Sequence, residues 1–462
     1  MQTAVLSTLT ARHLRRALPA ALTLFAVLAP GADAAVRKEV VVRFKSTASD
    51  AQIARAGQAA GFAEVRRSAG GARVARLRRG VAVDEALARL RASRSVSWAG
   101  RNLLARTSAD FNDTGVARKA GVAGDWQSSQ WNLVGPFGIN AAAAWEAARL
   151  AGVEGGRGVK VAVLDTGAAY ANRSPYRRSP ELPTARVLPG YDFVSRDRFP
   201  NDANGHGTFV ATSIAGAADN NYGMVGVAYA SSIMPVRVLN AEGEGSSARI
   251  AEGIHWAVDH GARVLNVSIE LYDPVFFRAQ SITAAPEISS ALKYAARKKA
   301  IVVAAAGNAS QRDVPDTSQE SNVIYVGGTT EHGCLGEYSN HGTGMDLVAP
   351  GGGADANLAT DPHCQRGDTP GRNIQQVTFR QGRPGTFVVP NNFKGTSMAA
   401  PHVTGTVALM LAARSLGRSP TPAAVATRLK GTATDLGAAG TDPFYGSGLV
   451  NAAAAVGTPQ AR

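Results

Sequence analysis

A chain of 462 residues, 45% of them hydrophobic, can bury a sizeable core and exceeds one average domain. Its formal net charge of +14 points at first sight to a nucleic acid or an anionic membrane. The distribution argues otherwise: residues 1–129 hold 21 basic and 9 acidic side chains, whereas residues 130–462 hold 28 and 26, so no nucleic-acid partner is expected for the body of the chain.

The first 34 residues read as an export signal. Arg12, Arg15 and Arg16 supply a positive start, Ala17 to Ala29 an apolar stretch too short to span a bilayer, and Ala32-Asp33-Ala34 small residues at a cleavage-site spacing. No later segment is apolar and long enough to be a membrane anchor. Residues 35–103 form a separate unit: a strand at Lys38–Phe44, a helix at Asp50–Ala60, strands at Phe62–Arg67 and Ala72–Arg78 paired across Gly70-Gly71, a helix at Asp84–Ala92 and a strand at Val96–Leu103. The order β-α-β-β-α-β is the small α+β ferredoxin-like pattern. Residues 104–129 lack periodicity and read as a linker and processing region.

From Gln130 to Gly457 the texture changes. Apolar runs at Val159–Leu164, Ile233–Leu239, Ala262–Ile269, Ile301–Ala305 and Val323–Val326 alternate with helical stretches such as Ser247–His260 and Ser289–Lys298. That alternation predicts an α/β domain, a doubly wound, mostly parallel sheet with helices on both faces, with sites at the carboxyl ends of the strands. Residues 352–393, rich in Gly, Pro and Asn, are expected to form long loops.

Four motifs carry chemistry. Val161-Ala-Val-Leu-Asp165-Thr-Gly167 ends a strand on a carboxylate. Asn204-Gly-His206-Gly-Thr leads a histidine into a helix. Ile301-Val-Val-Ala-Ala-Ala306-Gly-Asn308 leaves an amide side chain at a strand end. Gly395-Thr-Ser397-Met-Ala-Ala-Pro401-His402 sets a hydroxyl at a helix N-terminus, where free N–H groups favour negative charge. Each alone also fits an ordinary turn or cap. Together, in this order, they resemble the subtilisin-like serine proteases, over about 130–457, and Asp442 to Asn451 resembles that family's closing segment.

The resemblance implies a secreted serine endopeptidase acting on polypeptide substrates through an acyl-enzyme. Ser397 would be the nucleophile, His206 its base and Asp165 the group that orients and stabilises the imidazolium. Asn308 and the Ser397 backbone N–H would hold the oxyanion. Ser268, Ile269, Glu270, Ala306 and Gly307 would line the substrate, with Glu270 where relatives often carry Gly. A carboxylate there predicts a bias toward Arg or Lys just before the cut bond, unless it turns outward or pairs with Arg278. Phe209, where many relatives have His, and His402 are read as packing residues. The small unit would be the enzyme's own propeptide and intramolecular inhibitor, removed by self-processing between about Arg101 and Gln130.

No cofactor is needed for such chemistry. The stretch from Ala218 to Gly226 resembles the family's calcium loop, with Asp219 and Asn220 as ligands; an ordinary Asn–Gly turn is the other reading. Cys334 and Cys364 are the two cysteines and read as a disulfide in an exported protein, with a metal site involving His341 and His363 as the rival. A monomer is expected, and extracellular release and periplasmic retention stay open. From other functional classes, a catalytically inactive binding module on the same scaffold and an anion-binding protein remain as alternatives.

Overall fold

The computed structural model describes residues 39–67, 71–101, 111–117, 126–273, 278–280, 285–312, 314, 323–358 and 361–457. The expected export signal lies outside them. The chain divides into two compact units, residues 1–107 and 108–462.

In the smaller unit β1 (Glu39–Phe44), α1 (Asp50–Ala59), β2 (Phe62–Arg67), β3 (Arg73–Leu77), α2 (Val83–Ala92) and β4 (Val96–Arg101) follow the expected order. The four strands pair antiparallel as β2-β3-β1-β4. Ser49 and Gln52 close a reciprocal capping box that starts α1. Val40 and Val42, two residues apart, point to one face of β1 and pack with Ala75, Leu77, Leu87 and Leu90.

The larger unit opens with α3 (Trp126–Ser129), α4 (Trp131–Val134) and α5 (Ala141–Leu150). Phe111 and Trp126 fall in the stretch read as linker, yet both pack with Trp145 in the core. The sheet is entered at β5 (Lys160–Asp165) and β6 (Tyr191–Asp192), followed by α6 (His206–Ala215), β7 (Ser232–Arg237), α7 (Ser247–Asp259) and β8 (Val264–Val267). A two-stranded ribbon, β9 (Leu271–Asp273) with β10 (Arg278–Gln280), precedes α8 (Pro286–Arg297), β11 (Ile301–Ala305), β12 (Val323–Thr329) and β13 (Leu347–Pro350). The chain then forms β14 (Thr378–Arg380), β15 (Arg383–Val388), α9 (Thr396–Ala412), α10 (Pro422–Lys430) and α11 (Ala452–Val456). The hairpin β14–β15, turning at Gly382 with φ of 71°, lies inside the region expected to be loops throughout.

Seven strands form one parallel sheet in the order β13-β12-β11-β8-β5-β7-β6. Alternation along each strand sorts its side chains between two cores. Val161 and Val163 face α5, α6, α9 and α11; Ala162 and Leu164 face α7 and α8. Strands buried on both faces read as continuous apolar runs, and that is why the sequence announced them. α9 is buried from Met398 to Met410, a helix apolar all round and enclosed by the core. The last helix, α11, returns to the beginning of the unit: the Ala452 N–H donates to the Ile139 carbonyl at 2.8 Å, beside α5.

Candidate active site

Asp165 ends β5, fully buried, and its two carboxylate oxygens lie 2.8 and 3.0 Å from His206 Nδ1. The Thr166 N–H also donates to it, at 2.7 Å. His206 begins α6, held there by an acid that sequence reading missed. Asp202 accepts from the N–H groups of Asn204, Gly205 and Thr208 and from the Thr208 and Thr166 hydroxyls, all at 2.6–2.9 Å. Its place four residues before His206, ahead of Asn-Gly, is the local pattern of a turn-forming Asx residue and could have flagged it. Burial lowers the His206 pKa, but the charge and hydrogen bond of Asp165 together outweigh it, and the result is raised above the usual value. The Nδ1–H is committed to Asp165, which leaves Nε2 as the available base.

Ser397 lies in the first turn of α9. Pro401, four residues on, cannot donate to the Ser397 carbonyl as a helix interior requires. The Ser268 hydroxyl takes that place, donating to the Ser397 carbonyl at 2.9 Å, and the Ser397 hydroxyl donates back to the Ser268 carbonyl at 3.3 Å. Among the described hydrogen bonds Ser397 Oγ does not meet His206; such catalytic contacts are often long before substrate binds. Asn308 follows β11 through Gly307, which has φ of 103°. The Asn308 Oδ1 accepts from the Thr396 N–H at 2.8 Å and the Thr396 hydroxyl at 3.0 Å, which orients its Nδ2–H₂ as the free donor. The Ser397 N–H is one of the first-turn amides that a helix leaves without an internal acceptor. A hydroxyl, an imidazole backed by a carboxylate, and two N–H donors can together perform nucleophilic acyl transfer.

The expected substrate-lining residues differ among themselves. Ser268 adjoins Ser397, while the Ile269 and Ala306 side chains are buried in the apolar core at 6% and 5% exposure, which leaves only their backbone to offer a substrate. Glu270 turns inward: its Oε1 accepts from the Asn308 N–H at 3.0 Å and from Asn340 Nδ2 at 3.3 Å. Asn340 was not singled out from sequence, because nothing local marks a residue whose partners lie 30 to 70 positions away.

His402 is a core histidine. Its Nδ1–H donates to the Met398 carbonyl at 2.8 Å, its Nε2 meets Asn132 Nδ2 at 2.7 Å, and burial pulls its pKa down to about 4. Phe209 is buried and stacks on Phe393 at 4.2 Å. Cys334 and Cys364 are joined in a disulfide, and His341 stacks on Phe444 instead of meeting sulfur.

The segment expected to bind calcium is only partly as read. The Asp219 side chain is exposed, with its N–H donating to Asp113 Oδ2 at 2.8 Å. Asn220 Oδ1 is buried without a hydrogen-bond partner, and so are Asp113 Oδ1 and Glu181 Oε1. A Cβ on Gly223 would fall 2.1 Å from Glu181 Oε1, so glycine keeps room there. Burial pushes Asp113 up to about 6 and Glu181 well above its usual range, Glu181 being raised further by Asp113. Three orphaned oxygens, two of them carboxylate, suit a hard cation.

Residues 156–448 match the model of the subtilase family, Peptidase S8. The chain is 33% identical over 300 residues to Subtilisin BL of Lederbergia lenta, spanning 65% of this chain and 91% of that protein. It is 31% identical over 322 residues to Thermitase of Thermoactinomyces vulgaris, spanning 70% and 95%. A solved protease structure from Pseudoalteromonas arctica superposes with a TM-score of 0.57 at 28% identity, covering 75% of this chain and 99% of that one.

Proposed function

The chain belongs to the subtilase family of serine endopeptidases, and from that premise we propose that it cuts polypeptides through an acyl-enzyme on Ser397. The observation that carries the reading is the buried Asp165 carboxylate 2.8 Å from His206 Nδ1, on a helix that packs against α9, which carries Ser397. His206 Nε2 takes the proton of the Ser397 hydroxyl as its oxygen attacks the scissile carbonyl carbon. Asp165 holds the tautomer that leaves Nε2 unprotonated and stabilises the imidazolium that forms. The carbonyl oxygen, now negative, is met by Asn308 Nδ2 and the Ser397 N–H. His206 then returns its proton to the leaving amine, and water repeats the sequence on the acyl-enzyme. A fluorophosphonate probe should label the wild type and leave Ser397→Ala unlabelled; an unlabelled wild type would instead support the inactive binding module.

The smaller unit acts as a propeptide, and the precursor cuts itself ahead of Phe111, whose side chain packs with Trp126 and Trp145 in the core of the larger unit. Export is supported by the first 34 residues, and among the described residues no helix is long and apolar enough to cross a membrane. Maturation of Ser397→Ala in a protease-deficient host would refute self-processing. Glu270 stands two residues after Ser268, which is hydrogen-bonded to Ser397, and a carboxylate there supports a preference for Arg or Lys before the cut bond. Equal cleavage of Lys and Leu peptides, unchanged in Glu270→Gly, would refute that. A structural calcium ion would be held by Asp113, Glu181 and Asn220, with no part in the chemistry. It would neutralise two acids that burial alone disfavours. Chelation should lower the unfolding temperature of the wild type and leave that of Glu181→Ala unmoved.

A further inference from the structure

Residues 306–311, which carry Asn308, have little regular structure of their own, and one side chain organises them. Asn340 is 3% exposed and every polar atom of its amide is used. Its Oδ1 accepts from the Ala309 and Gln311 N–H groups, both at 3.0 Å. Its Nδ2 donates to the Ala306 carbonyl at 3.2 Å and to Glu270 Oε1 at 3.3 Å. Its own N–H donates to the Gly307 carbonyl at 3.0 Å. Glu270 Oε1 then reaches past it to the Asn308 N–H at 3.0 Å. A Cβ on Gly307 would come 2.3 Å from Asn340 Nδ2 and 2.5 Å from Glu270 Oε1, so the bracket closes only over a glycine.

We propose that Glu270 and Asn340 are positioning residues that hold Asn308 where its Nδ2 meets the developing oxyanion. This rests on Asn308 being an oxyanion donor. Thr396 fixes the far end of the Asn308 side chain and Glu270 its main chain, so both ends of a solvent-exposed residue are pinned. Such donors work because they are oriented before charge appears, and a displacement of about 1 Å can remove about a hundredfold in rate. The choice of a carboxylate is chemically awkward, since a negative group near a forming oxyanion opposes it. In holding Asn308 the acceptor, not the charge, is therefore the working feature, and Gln, which keeps that acceptor, should restore most of what Ala loses.

The test is steady-state kinetics on one peptide for Asn340→Ala, Glu270→Ala and Glu270→Gln, each made alone and in an Asn308→Ala background. Alone, the two alanine variants should lose about tenfold to a hundredfold in kcat with KM within about twofold, and Glu270→Gln should recover most of the kcat that Glu270→Ala loses, whatever it does to the choice between Lys and Leu peptides. In the Asn308→Ala background the same changes should lower kcat by less than about twofold further. Equal losses in both backgrounds, an effect on KM alone, or a Gln variant as poor as the Ala variant would overturn the proposal. If Asn340→Ala fails to fold, the Glu270 pair decides the matter alone. A normal kcat in Asn308→Ala by itself would instead remove the underlying reading of Asn308.

Discussion

Acidification should weaken this fold through His402. In the folded chain the ring is neutral, donating from Nδ1 to Met398 and accepting at Nε2 from Asn132, and its pKa is pulled down to about 4. Unfolded, it titrates near 6.5. Between these values the unfolded chain binds a proton that the folded chain refuses, so stability is full above about 6.5 and falls as pH drops toward 4. At 1.36 kcal/mol per pKa unit the loss is about 3 kcal/mol, a large share of an ordinary net stability of about 5–15 kcal/mol. The steepest slope is about 1.4 kcal/mol per pH unit. Urea unfolding of Ser397→Ala, silenced to prevent digestion, would be compared with Ser397→Ala/His402→Gln at pH 7, 6, 5 and 4.5. The double variant should be less stable at pH 7 and show a flatter curve below about 6.5. His206, raised instead of lowered, contributes with the opposite sign: its stabilisation is full below its unfolded value and is lost as pH rises through the folded one. It is common to both proteins and cancels in the difference. Parallel curves from pH 6.5 to 4.5 would refute the argument.

Replacing Asn308 by Ala should lower kcat by about 10²–10³ with KM little changed, a magnitude measured on a subtilisin. Because the raised His206 must be neutral to act as a base, kcat/KM should fall on the acid side with an apparent pKa above the ordinary histidine value; a limb centred well below 6.5 would refute this. Removing the Cys334–Cys364 bond, which spans 30 residues, should cost about 3 kcal/mol in a denaturant titration and leave kcat unchanged.

What could be read from sequence was what is local. The five central strand segments announced themselves because a strand covered on both faces is a run of apolar residues, and Ile301–Ala305 has the bounds expected. Asp165, His206, Asn308 and Ser397 each stand at an element end marked by its neighbours. The supporting residues were hidden for the converse reason. Asn340 acts across 70 positions on Glu270, and Asp113 reaches Asp219 across 106. Aperiodic sequence around Phe111 and Trp126 read as a linker, although a few aromatic anchors suffice to fix a segment without regular structure.

A protease lives among copies of itself, and the return of α11 to α5 bears on how it survives them. Fraying ends are where a folded chain most often offers backbone to an attacker, since local opening there requires far less free energy than global unfolding. Here Ala452 is hydrogen-bonded to Ile139, and the Arg428 side chain donates to the carbonyls of Ala454 and Ala455 at 2.7 and 3.1 Å. At the other end Gly115 and Gly223 exchange hydrogen bonds with their surroundings, the Gly115 N–H reaching the Gly223 carbonyl at 2.9 Å. The first and last described segments of the catalytic unit are thus tied to its interior. Self-digestion must then begin at surface loops or await cooperative opening, which makes the lifetime of the enzyme in concentrated solution a property of its unfolding rate.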